Sequence, residues 1–78
     1  MIEVSVKLVS IFAKYQKGRD TSRIILKEGA TVLDLVREFG LPEDHVRIIA
    51  VNGKQESLDK VLTQGDSVFL FPPAFGGG

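Results

Sequence analysis

The 78-residue sequence predicts an α+β domain in which one main helix packs across a mixed sheet of four to five strands. Three observations carry that prediction. Ile2, Val4, Val6 and Leu8 alternate with Glu3, Ser5 and Lys7, the period-two pattern of a strand with one buried face. Val32, Leu35, Val36 and Phe39 instead repeat at i, i+3, i+4 and i+7, which is one face of a helix. Asn52-Gly53 closes an apolar run, and that dipeptide readily supplies the backbone of a tight two-residue hairpin.

Each element follows in order. The first strand is expected over about residues 2–9, and Ile11, Phe12 and Tyr15 continue its apolar content without alternation. A turn at Gln16-Lys17-Gly18-Arg19-Asp20 leads to a second strand over about residues 23–27, with Ile24 and Leu26 on one face and Ile25 on the other. Thr31 then stands at the N-cap and Asp34 at the acidic position of a shortened capping box. The helix is expected to run about nine residues and to stop at Gly40, with Leu41 as its hydrophobic partner and Pro42 blocking continuation. The apolar run 46–51 follows, with Ile49 and Val51 toward the core and Ile48 and Ala50 on the far face. Lys54-Gln55-Glu56 reads as a brief return strand at the sheet edge. Ser57 is expected to cap a single helical turn over 58–62, anchored by Leu58 and Leu62. Gly65-Asp66 makes the last turn before a strand over 67–71.

Composition narrows the function. One domain of this size has little core to spare, and without cysteine neither a disulfide nor a thiolate metal site can reinforce it. Packing must hold it, and 44% apolar residues make that feasible. Ten basic and ten acidic side chains cancel without forming blocks, which argues against a nucleic-acid surface. The start Met1-Ile2-Glu3-Val4 lacks the regions of a signal peptide and no stretch is long enough to span a membrane, so a cytoplasmic protein is expected. His45 stands alone beside Pro42-Glu43-Asp44 and reads as a surface residue, so no metal site is expected. Asp34, Glu38 and Asp59 form no recognisable acid pair, and Lys54 and Lys60 are explained by solubility as readily as by acidic partners. No phosphate-binding loop is present.

The last eight residues, Phe71-Pro72-Pro73-Ala74-Phe75-Gly76-Gly77-Gly78, stand apart. Two prolines stop the strand, and the chain should leave as an extended arm. The division expected is a folded domain over 1–72 and a flexible arm over 73–78. Glycine has no Cβ, so such an end can thread a channel too narrow for any side chain. A frayed or added terminus is the bland reading of the same residues.

Hairpin, helix and further strands, with the last strand returning beside the first, make the β-grasp or ubiquitin-like fold. Phe12-Ala13, Glu28-Gly29-Ala30-Thr31-Val32, Ala50-Val51-Asn52-Gly53, Gly65-Asp66-Ser67-Val68 and the ending from Phe71-Pro72-Pro73 to the glycines occur in that order. In this the chain resembles, over essentially its whole length, the small subunit of molybdopterin synthase. The thiamine-pathway sulfur carriers look similar at Val51-Asn52-Gly53 and Gly65-Asp66 but usually lack the paired prolines. Those families normally end in two glycines and this chain ends in three, so either Gly78 or Gly77 is the working end. An extra residue displaces a carboxyl by up to about 3.5 Å.

The resemblance implies a sulfur carrier whose terminal carboxylate, on Gly78 with Gly77 before it, is adenylated by a ubiquitin-activating-type partner and becomes a thiocarboxylate. It implies a non-catalytic, sulfur-donating subunit that assembles with a large synthase subunit in a hetero-oligomer. ATP would belong to the adenylating partner, and no cofactor is expected on this chain. Alternation places Phe69 and Phe71 opposite the helix, beside Ile48 and Ala50, as an apolar patch fit for a partner. The opposite register would bury both aromatics instead. Phe75 has little of its own domain to pack against and suits a partner groove, with Pro72, Pro73 and Gly76 setting the path of the arm. Two other classes stay open: a modifier that joins its terminal glycine to lysines, and a non-covalent binding module.

Overall fold

A computed structural model describes residues 1–9, 12 and 22–72. It contains β1 (Ile2–Leu8), β2 (Ser22–Leu26), α1 (Val32–Phe39), β3 (Ile48–Val51), β4 (Lys54–Glu56) and β5 (Ser67–Phe71). A short 3-10 turn, Glu43–His45, precedes β3. The strands form one sheet in the order β2-β1-β5-β3-β4. The central pair β1 and β5 is parallel and every other pair antiparallel. One helix on this mixed five-stranded sheet is the β-grasp architecture.

Helix α1 begins where every early N–H finds a partner. The hydroxyl of Thr31 accepts from the Asp34 N–H at 3.3 Å, and the Asp34 carboxylate accepts from the Thr31 N–H at 2.9 Å, completing the expected capping box. The N–H groups of Val32 and Leu33 donate to the carbonyls of Lys60 and Leu58 at 3.0 and 2.9 Å. The bonds of this segment correct the expectation of a helical turn over 58–62. The Leu62 N–H, which would close a helical turn onto Leu58, donates instead to the Ala30 carbonyl at 2.8 Å, so the segment forms a turn in which the Lys60 N–H donates to the Ser57 carbonyl at 3.1 Å. The Ser57 hydroxyl bonds the Asp59 carboxylate rather than capping backbone N–H groups. Leu62 is nevertheless buried, and Leu58 packs half-buried against the core.

The helix ends as its residues require. Gly40 takes φ 75°, its N–H donates to the carbonyls of Arg37 and Val36, and the Leu41 N–H donates to Val36 at 3.2 Å. Strand β2 lies one residue earlier at each end than expected: it starts where Ser22 pairs with Val6, and it stops before Lys27, whose carbonyl accepts from the Ala30 N–H in the following turn. Strand β1 stops one residue short of Val9, whose N–H still donates to the Leu70 carbonyl at 3.1 Å.

The core lies between α1 and one sheet face. Val32, Leu35 and Val36 from the helix, Val4 and Val6 from β1, and Val68 and Leu70 from β5 are each at most 1% exposed. Phe12 is buried too. Ile11, Tyr15 and the expected turn at 16–20 lie outside the described residues, as does the arm over 73–78.

Candidate functional site

The open face of the sheet is organised by β5. Val68 and Leu70 point to the helix, so Phe69 and Phe71 point away from it, the register expected from alternation. Their rings stack with centroids 6.4 Å apart and planes 18° from parallel. Cross-strand pairing sets Ala50 beside Phe69 and Ile48 beside Phe71 on β3, and Lys7 beside Phe69 on β1. Phe69 is 37% and Ile48 43% exposed, while Ala50, Phe71 and Pro72 are half-buried. Phe69, Phe71, Ile48 and Ala50 form a continuous apolar patch rimmed by exposed Lys7 and Arg47.

The end of β5 that leads into the arm is held on both sides. The Val9 N–H donates to the Leu70 carbonyl at 3.1 Å, and the Arg47 N–H to the Phe71 carbonyl at 3.4 Å. Pro72 follows immediately and has no N–H to extend the ladder. Pro73, Phe75, Gly76, Gly77 and Gly78 lie outside the described residues.

The opposite end of β5 is fixed by a polar cluster. The Asp66 carboxylate accepts from the Thr63 N–H at 2.8 Å, the Thr63 hydroxyl at 3.1 Å and the Asn52 amide at 2.8 Å. Asn52 in turn accepts from the Ser67 N–H at 3.0 Å. Burial pushes the Asp66 carboxyl up, but the hydrogen bonds from Thr63 and Asn52 outweigh it and leave the pKa below its ordinary value. Asn52 therefore has two roles: it takes φ 54° in the β3–β4 hairpin and ties that hairpin to the start of β5.

Other candidates separate. Asp34 serves the helix cap, and the N–H of Thr31 lowers its pKa by more than burial raises it. His45 is exposed in the 3-10 turn. Glu38 and Asp59 are exposed, and Lys60 stands 4.0 Å from Glu56. Among the described residues no group of three or more acidic or histidine side chains is placed to hold a metal ion. No helix among them is long and apolar enough to cross a membrane. Lys7 and Arg47 were not legible as rim residues; only the parallel pairing of β1 with β5 puts Lys7 against Phe69.

The profile of the Mut7-C ubiquitin family matches residues 2–75. This chain belongs to that family. A Pyrococcus furiosus protein assigned as molybdopterin converting factor, subunit 1, is similar at 37% identity over 95% of this chain and 100% of its own, with a TM-score of 0.75. Small archaeal modifier protein 1 of Haloferax volcanii is similar at 25% identity over 95% of this chain and 100% of its own, with a TM-score of 0.78. Subunits 1 and 2 of the molybdopterin-converting factor of Helicobacter pylori have been solved as a complex. Its matching chain shares the fold at 20% identity, over 97% of this chain and 100% of its own, with a TM-score of 0.58. Comparison with curated protein sequences gave no significant match. This member of the Mut7-C ubiquitin family thus has the fold of the ubiquitin-like sulfur carriers and of the small converting-factor subunit.

Proposed function

We propose that this chain is a sulfur carrier of the molybdopterin type, acting through the carboxylate of its last glycine. The observation that carries the reading is the end-to-end similarity, at 37% identity, to the Pyrococcus furiosus protein assigned as molybdopterin converting factor, subunit 1. The geometry agrees with it, since a central strand held by both neighbours ends beside an apolar patch and leads into Pro72-Pro73 and the glycines.

A carboxylate resists nucleophiles because its charge is delocalised and its oxygen leaves poorly. A partner enzyme activates it: a carboxylate oxygen attacks the α-phosphorus of ATP, pyrophosphate leaves, and the glycine becomes an acyl adenylate. A sulfur nucleophile supplied by the partner system then displaces AMP, leaving a thiocarboxylate. In a large synthase subunit the thiocarboxylate donates its sulfur to a pterin precursor. This chain contributes recognition and reach rather than acid-base groups. Phe69, Phe71, Ile48 and Ala50 seat the domain on its partners, Phe75 anchors the arm, and Pro72, Pro73 and Gly76 deliver the end. The chain has no cysteine, so no thiol of its own competes for the activated acyl group. A cytoplasmic setting, where ATP is available, belongs to the proposal.

The similarity to small archaeal modifier protein 1 favours a second reading, in which the same activated glycine is joined to lysines of other proteins. One experiment separates them. The chain is incubated with an adenylating enzyme, ATP and a sulfur donor, and its intact mass is measured. Exchange of one oxygen for sulfur is expected, whereas an unchanged mass with an enzyme proven active on another carrier overturns the first reading. Adducts resistant to reducing agent and lost with the glycines support the second. Repeating the assay after removal of Gly78 alone identifies the working end: retained transfer assigns it to Gly77.

A further inference from the structure

Strand β2 is an edge of the sheet, and the register shows which of its backbone groups are free. The Ser5 N–H donates to the Asp66 carbonyl at 2.9 Å and the Gly65 N–H to the Glu3 carbonyl at 2.8 Å, so Glu3 and Ser5 direct their backbone toward β5. Backbone direction alternates along a strand, so Ile2, Val4 and Val6 direct theirs toward β2. Their partners there are Leu26, Ile24 and Ser22. Arg23 and Ile25 therefore turn their N–H and C=O groups outward, which leaves four groups unpaired among the described residues on an exposed edge.

Beside this edge runs a groove of about 370 Å³ between β2 and α1. Ile25, Leu26 and Lys27 form one wall, and Ala30, Arg37 and Glu38 the other, with Asp34 at the base of the helix wall. Ile25 is 56% exposed although the residues on either side of it face the core. Arg23 and Lys27 flank it at two-residue spacing, both exposed, and neither forms an ion pair with a described residue. The edge thus reads cation, apolar, cation.

We infer that the β2 edge and its groove bind an extended segment of a partner protein, added to the sheet as a sixth strand, with acidic residues on both sides of an apolar one. The outward N–H and C=O groups of Arg23 and Ile25 specify a strand rather than a helix. Charge complementarity specifies its sequence: acids lie beside Arg23 and Lys27, an apolar residue beside Ile25, and the intervening side chains enter the groove over Leu26 and Ala30. The site is separate from the patch on β3 and β5 and does not depend on the terminal glycines.

The test is a titration of the isotope-labelled full chain with the peptide acetyl-Glu-Val-Ile-Val-Glu-amide, followed by backbone amide shifts. Its palindromic order reads the same in parallel and antiparallel addition. Saturable shifts centred on Arg23, Ile25, Lys27 and Ala30 are expected, weakening as salt is raised. A counterpart with both acids replaced by lysine binds about tenfold more weakly, and the double substitution Arg23→Glu with Lys27→Glu reverses that preference. Ile25→Pro removes one outward N–H at an edge position where proline is tolerated, and abolishes binding. If Ile25→Pro does not fold, the charge reversal decides. Shifts centred on Phe69 and Phe71, or indifference to charge reversal, overturn the inference. So do β2 shifts that scale with protein rather than peptide concentration, which place a second copy at the edge.

Discussion

Strand β5 carries two kinds of side chain on its two faces. Val68 and Leu70, both fully buried, meet the helix, while the bulkier Phe69 and Phe71 stand on the open face. Were the aromatics there to stabilise the isolated domain, the core would be the place to bury them, since each carries more apolar area than Val or Leu. Leaving Phe69 37% exposed forgoes part of that free energy until something covers the face. The contrast separates residues that hold the fold from residues left on the open face, to which the proposed function gives the partner role, within one five-residue strand.

The largest effect is expected on the buried face. Leu70→Ala leaves a cavity under α1 and costs about 3 kcal/mol, read as a lower urea midpoint with little change in slope. Phe69→Ala removes the ring stack and an exposed surface, so its stability cost stays below about 1 kcal/mol. Its effect falls on association: affinity for an adenylating or large-subunit partner drops on the order of tenfold to a hundredfold, measured by calorimetry with both folded proteins. A Phe69→Ala protein that unfolds more readily than Leu70→Ala breaks the division between the faces.

Most of this division was legible in the sequence, because alternation in β1 and β5 and the helical repeat of α1 each report one buried side. The Thr31 and Asp34 cap and the Gly40 stop were legible for the same local reason. What escaped depends on contacts between distant segments. The stretch after Ser57 carries a plausible helix signal, but the Leu62 N–H that would close the turn donates to Ala30, far earlier in the chain, and local propensity yields to that demand. The rim cations and the free β2 edge likewise appear only when strand order is known, since no residue states its own neighbour across a sheet. Asn52 and Asp66 each looked like turn residues and proved to be joined.

That joint gives the smallest and most specific effect, and it sharpens the contrast by loosening where β5 begins without touching either face. Asp66→Asn keeps the size of the side chain but puts an NH2 where the carboxylate accepts from Asn52 or Thr63, at a cost of about 1–2 kcal/mol at neutral pH. The carboxyl titrates below its ordinary value in the folded chain, so its hydrogen bonds contribute fully above the unfolded value of about 3.9 and are lost as pH falls through the folded value. Urea midpoints of the two proteins should therefore differ most above about pH 5 and draw together below about pH 4. A gap that stays constant across that range would mean that the Asp66→Asn variant fails through its misplaced NH2 alone and that the Asp66 charge contributes nothing to the anchor. A gap that closes on acidification locates the anchor in the ionised carboxylate, and the apolar patch should then keep its partner affinity at neutral pH while the strand that carries it becomes easier to unfold.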